Sequence, residues 1–508
     1  MLSAVHLGVH RAARPAGALL VVLAVGPLFG VLLAVSAKNA GTIRTLVTGI
    51  ALGILGPVTL RWPRAGVVAT MALLTCTGFL RRILIPVAGW SGTDPILLIG
   101  PAVAILLLVR RPRAPHRASP RVRGEVGGGT SDEPRSIGGA LPALVAALLC
   151  ITGLEVFNPE GGGLVAGVTG LLFIAAPLLW FFVGAWLGDD GLLAGLQAAS
   201  IAIASLAAGY GLWQTIAGFP SWDSQWIDVA GYTALQVGVI RAFSTFSSSA
   251  EYAIFLAAGV MVIFARAMRG RLLTLPALPL LVWALILESS RTVVVQGLAG
   301  VLVMGALLAG SVRRAIAITI VGLAVIAVLD QVLAPHLLAI AGSTSDPLIS
   351  HEAGGLGDPL NPQQSTVQIH LTQIVAGFAL AFSHPLGLGT AGTNLAGLKA
   401  GSAAVGAEVD IPNQFISLGI LGGVLYLVIV VAALAAACGL ALRRRDVVSL
   451  ATVGILIVCF GQWLNGGYYA LAPLVWLLIG SIGRSLWLTS RSQRRPAGPT
   501  LQPIERGA

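Results

Sequence analysis

The chain has 508 residues, of which 56% are apolar and only 10% charged, against roughly 25% charged in a soluble globular protein. With a mean hydropathy of +0.89 it is not a soluble multidomain protein, and its length says nothing about domain number. The net charge of +11 does not indicate nucleic acid, because the arginines sit in short segments between apolar runs.

Apolar runs long enough to span a bilayer fall near 16–36, 42–60, 65–80, 94–109, 138–157, 164–187, 191–218, 250–266, 272–288, 292–311, 315–333, 413–437, 448–464 and 468–487. The expected fold class is therefore all-α: a polytopic integral membrane protein of about fourteen transmembrane helices with one large extracytoplasmic loop. The first run follows Arg11 and Arg14 and ends Val35-Ser36-Ala37, like a signal peptide. Its length favours a retained first helix. The domain order reads as N-terminal helices (1–109), a basic cytoplasmic linker (110–136), further helices (137–333), a large external loop (334–411), C-terminal helices (412–488) and a basic tail (489–508).

Charge placement orients these spans. With the N-terminus inside, the basic segments at 110–123, 266–271, 313–314, 443–445 and 491–495 all fall inside, and the acidic segment from Glu155 to Glu160 falls outside. The expectation is a bacterial cytoplasmic-membrane protein with both termini cytoplasmic. Arg81-Arg82 breaks the pattern by falling outside, which suggests a re-entrant hairpin after the short third span.

Two segments interrupt the helices. Residues 219–249 are rich in aromatic and polar groups, and 334–411 is too long to be an idle connection. The longer one carries Asp346, Glu352, Asp358, Glu408 and Asp410 against Lys399, and four of the seven histidines. Within it, Val367 to Phe382 is expected to form a helix along the membrane surface. Gly387-Leu388-Gly389-Thr390-Ala391-Gly392 matches GxGxxG but lacks the strand and βαβ context of a dinucleotide site, so a close-packed turn is expected instead. His336, His351, His370 and His384 lack metal-motif spacing, and Cys76, Cys150, Cys438 and Cys459 form no close pair. No metal or cofactor is expected.

Arg291 lies between two apolar runs, where an arginine costs at least ~2.5–3.5 kcal/mol at the centre of a span. Arg241 closes the first external segment, in Arg241-Ala242-Phe243-Ser244-Thr245-Phe246. Two guanidiniums at one depth suit a diphosphate, each binding phosphate oxygens bidentately. The acids in Glu408-Val409-Asp410-Ile411-Pro412-Asn413 stand before a helix start, as helix caps or as a general base.

The order of these motifs resembles the O-antigen ligase and O-antigen polymerase superfamily: Arg-x-Phe-Ser-Thr-Phe, Ser289-Ser290-Arg291, a long external loop, His384-Pro385-Leu386-Gly387-x-Gly389 and Asn413-Gln414 before a glycine-rich span. The resemblance covers residues 160–487. It implies a metal-independent glycosyltransferase that uses a polyprenyl-diphosphate-linked glycan donor and a glycan acceptor at the outer membrane face. The family's essential arginines map onto Arg241 and Arg291. Where the ligases carry a His-Asn pair this chain reads Pro412-Asn413, which favours a polymerase over a ligase. Asp410 and then Glu408 are the expected bases, followed by His370, with Asn413, His384 and His370 as substrate contacts. The partners are donor, acceptor and membrane lipids, without nucleic acid. The competing readings are a polyprenyl-glycan flippase or transporter, and a peptidoglycan-type polytopic glycosyltransferase.

Overall fold

The computed structural model describes residues 40–91, 94–110, 137–230, 240–288, 290–358, 361, 367–394, 406, 409–465 and 467–493. The run at 16–36, the linker at 111–136, Glu408 and the tail beyond 493 lie outside the described residues. Among the described residues every regular element is helical. Eight helices among the described residues are long and apolar enough to cross a membrane, which makes the chain a multi-pass membrane protein. They are α1 (Ala40–Arg61), α6 (Ile137–Leu154), α7 (Leu164–Leu187), α8 (Asp190–Ala217), α10 (Ser249–Ala267), α12 (Arg291–Leu308), α13 (Val312–Ser343) and α16 (Asp410–Arg444).

Shorter pieces complete the bundle. The pair α2 (Pro63–Thr75) and α3 (Thr77–Ile83) is bent by 53° at Cys76, where the third span was expected to run short. After α4 (Ile85–Ala88), α5 (Ile99–Arg110) starts from a 3₁₀ turn capped by Asp94, which accepts from the Ile96 N–H. The remainder are α9 (Ser221–Ala230), α11 (Leu278–Glu288), α14 (Pro347–Gly357), α15 (Val367–Ser383), α17 (Val447–Val458) and α18 (Leu471–Gln493). Close packing rests on small residues: a Cβ at Gly184 of α7 would strike the Leu477 carbonyl of α18, and one at Gly480 would strike Phe181.

Polar contacts sort the helix ends into two faces. At the basic end Arg64 pairs with Asp189, Arg110 donates to the Thr59 carbonyl, and Arg444 pairs with Asp190 and Asp446. At the opposite end, here the loop end, lie residues 44, 81–91, 94, 155–160, 214–230, 240–251, 459–465 and 467–470. The misfit of Arg81-Arg82 has its cause here. Both guanidiniums are buried against carboxylates and carbonyls at the loop end, so they are structural cations, and the charge rule for membrane orientation does not apply to them.

Among the described residues of the 334–411 segment most are helical. Helix α13 continues past Pro335 to Ser343, and α14 folds back on it, with Ser350 Oγ donating to the Ala341 carbonyl. Helix α15 forms where a surface helix was expected, and it buries one side against α16 through Phe378, Ala381, Phe415 and Ile416. Helix α16 is broken at Gly419, whose φ of 68° and ψ of −177° leave helical space. Backbone groups freed in an apolar medium must find partners. They do so in the GxGxxG turn: the Leu388 N–H donates to the Ile416 carbonyl (2.7 Å) and the Ile420 N–H to the Pro385 carbonyl (3.0 Å). Gly387 stands at φ 86° against Ser417 and Gly419, so this close-packed turn fills the break in a span.

Candidate functional site

Arg241 opens a segment that the bundle grips from several sides. Arg82 donates to Asp223 (2.6 Å) and to the Ser244 and Phe246 carbonyls, with its guanidinium over the Phe243 ring at 4.6 Å. Gln214 Oε1 accepts from the Ser244 N–H (2.7 Å), and Ser244 Oγ donates to the Ala207 carbonyl (2.7 Å). Ser244 takes a left-handed φ of 50°, and the Phe79 N–H bonds the Thr245 carbonyl. Gly78 is required beneath, because a Cβ there would meet Phe246 backbone. Phe243 and Phe246 are fully buried. The Arg-x-Phe-Ser-Thr-Phe motif is thus a docked turn that carries Arg241 on its rim. An N-cap ends it: Ser248 Oγ accepts from the Glu251 N–H, and the Glu251 carboxylate accepts from the Ala470 and Leu471 N–H groups at the start of α18.

Arg241 reaches Glu288, with Nη1 3.6 Å from Oε1. Glu288 ends α11 and is buried, and Arg291 opens α12 three residues later. The fold therefore brings Arg241, from a distant segment, to a carboxylate three residues before Arg291 at the loop end. Helix α14 packs against Arg291, since a Cβ at Gly355 would collide with its guanidinium. Arg241 stays 28% exposed, so an anion from outside can reach it.

The other expected site residues occupy different settings. Asp410 is 1% exposed and accepts from Tyr426 Oη and the Leu464 N–H (2.9 Å), while its own N–H donates to the Gly461 carbonyl. This carboxylate fastens the start of α16 to the turn between α17 and α18. Asn413 is half-buried, with Oδ1 facing Gly406. His384 Nδ1 contacts the Leu380 carbonyl and Ser383 Oγ, and its Nε2 lies 3.7 Å from Glu160. His370 is half-buried on α15. Glu408 lies outside the described residues.

Sequence reasoning passed over Glu288, although it lies in the same run as Arg291; an acid ending an apolar helix beside an arginine was the available signal. Two cavities lie elsewhere. One of about 280 Å³, between α2, α5, α7 and α18, is lined by Asp94, Trp180 and Tyr469. The other lies between α12 and α13. Neither is lined by Arg241 or Arg291. Among the described residues no cluster of three or more His, Cys, Asp or Glu is placed to hold a metal ion. No known family model matches the chain, and no curated protein matches it significantly.

Proposed function

We propose that the chain is a glycosyltransferase of the O-antigen ligase and polymerase type, which extends or transfers a polyprenyl-diphosphate-linked glycan at the outer face of the cytoplasmic membrane. Its fourteen spans would comprise the eight long helices, the bent pair, four shorter apolar segments and the run at 16–36. Both termini would then be cytoplasmic and the loop end external. The observation that carries this reading is the meeting of Arg241 with Glu288, three residues from Arg291, at the end that bears the long connection.

The chemistry follows from charge. Attack by an acceptor hydroxyl on the anomeric carbon forms a glycosidic bond and breaks the bond to the diphosphate, whose oxygens gain negative charge. Preorganised guanidiniums stabilise that leaving group where water is excluded. Arg241 would exchange Glu288 for phosphate oxygens as the donor arrives. The buried Asp410 serves the frame in this reading. The hydroxyl proton goes to another group, and Glu408 and His370 remain the expected carriers from the sequence.

The test is product length in cells carrying Arg291→Ala or Arg241→Ala at normal membrane levels. Each removes charge-assisted hydrogen bonds worth about 1.5–3 kcal/mol, so turnover should fall on the order of tenfold to a hundredfold or more. The expected result is accumulation of unextended lipid-linked glycan. Wild-type product length in both variants would sink the proposal.

A further inference from the structure

A groove of about 620 Å³ separates α12 from the first turns of α13 at the basic end of the bundle. Its walls are apolar: Leu302 and Ala306 from α12, Ile316 from α13, and Leu442 from the end of α16. No residue of α13 is buried, so the groove opens sideways to the medium around the bundle. At its tip stands Arg445, the lining residue that bears a charge. Its guanidinium reaches over the α12–α13 turn to Gly310, and Arg313 and Arg314 follow that turn in the first residues of α13; all three are exposed.

The neighbouring acids do not neutralise this tip. Asp190 and Asp446 are both engaged by Arg444, and Asp446 also caps α17 through the Ser449 N–H. An apolar slot that opens at membrane depth and ends in unmatched cations has the polarity of an anionic phospholipid. The slot suits one acyl chain, and the tip suits a phosphate. A soluble anion would leave the apolar slot uncovered, and an apolar helix would leave the arginines unmatched.

We propose that this groove holds one anionic phospholipid of the bilayer, its acyl chain along Leu302, Ala306 and Ile316 and its phosphate at Arg445, Arg313 and Arg314. The site lies at the opposite end of α12 from Arg291, so it stands whether or not the diphosphate reading does.

The experiment is native mass spectrometry of the full-length protein released from mixed vesicles of phosphatidylglycerol and phosphatidylcholine. Wild type should retain phosphatidylglycerol preferentially. Each arginine removed should cost about fivefold in that preference, from ~1 kcal/mol per basic residue near an anionic surface. Arg445→Asn is the suitable variant because position 445 has a left-handed φ of 50°, which asparagine tolerates. Arg445→Lys should keep most of the preference, and Ala306→Trp should lower retention of both lipids by filling the slot. Equal retention of the two lipids by wild type would overturn the proposal. So would a preference unchanged when all three arginines are replaced, or a lipid-free protein dimer that Ala306→Trp dissociates.

Discussion

Replacing Asp223 tests how Arg241 is held. Asp223 is fully buried and accepts three hydrogen bonds, from Arg82 Nε (2.6 Å), Tyr210 Oη (2.6 Å) and Gln214 Nε2 (2.7 Å). Asp223→Ala strands a guanidinium that is 1% exposed, and breaking a buried pair from one side costs about 3–5 kcal/mol. Asp223→Asn keeps an acceptor for Arg82 and should cost less. At roughly 2 °C per kcal/mol for a large chain, Asp223→Ala should lower the unfolding midpoint by about 6–10 °C. Tryptophan fluorescence in nanodiscs is a fitting assay, because Trp222 donates to Tyr210 and Trp226 lies 5.5 Å from the Arg82 guanidinium. Gln214 and Arg82 also hold the backbone at Ser244, so the Arg241 rim should loosen and turnover should fall together with stability. Wild-type midpoints in both variants would refute the claim that this network scaffolds the segment.

Gly355→Ala should gain about 1 kcal/mol of helix propensity yet displace the Arg291 guanidinium, so turnover should drop while thermal stability holds; unchanged turnover at saturating and limiting donor would detach α14 from the site. Asp410→Asn should retain most turnover because its amide oxygen can still accept from Leu464, whereas Asp410→Ala should lose about 1–3 kcal/mol by leaving buried donors unmatched. A stable, inactive Asp410→Asn would restore the general-base role. Gly419→Ala should reduce folded yield in detergent chromatography, because its φ and ψ are reached almost solely by glycine and a Cβ would meet Pro385 and Leu386; normal yield would show that the break in α16 can close.

What the chain shows along its length and what it conceals divide by distance in sequence. Apolar runs declare helices because a span must satisfy its own backbone, and this holds for α7, α8, α10 and α12 without reference to a neighbour. The charge alternation likewise separates Arg241 and Arg291 from the basic segments. Pairings across the fold leave no local trace. Arg82 and Asp223 are 141 residues apart, so Arg81-Arg82 reads as a topological error until its partners are seen. Asp410 looks like an accessible acid before a helix, and only the turn after α17 shows that it is enclosed. The break at Gly419 is hidden for the same reason: the glycine is visible, but the turn that fills the gap lies more than thirty residues upstream.

Arginine at the loop end occurs in two arrangements, and their difference selects the anion site. Arg44 and Arg81 share Asp94, and Arg82 holds Asp223, with each of these side chains no more than 9% exposed. Arg44 also donates to the Arg81 and Gly89 carbonyls, and Arg81 lies over Trp90 at 4.6 Å. An incoming anion would have to break buried, charge-paired hydrogen bonds there, so exchange at Arg44, Arg81 or Arg82 is uphill. Arg241 is placed otherwise. Its separation of 3.6 Å from Glu288 lies beyond hydrogen-bond reach, so the pair is held by charge alone, and more than a quarter of the arginine side chain is exposed. A diphosphate would supply acceptor oxygens at bonding distance that Glu288 does not, and exchange at this arginine gains hydrogen bonds. The same reasoning forecasts the behaviour of Glu288→Gln: with the competing charge gone, inorganic pyrophosphate should bind more tightly and inhibit at lower concentration. Weaker inhibition would mean that Glu288 positions Arg241 for the donor and does not merely hold its place.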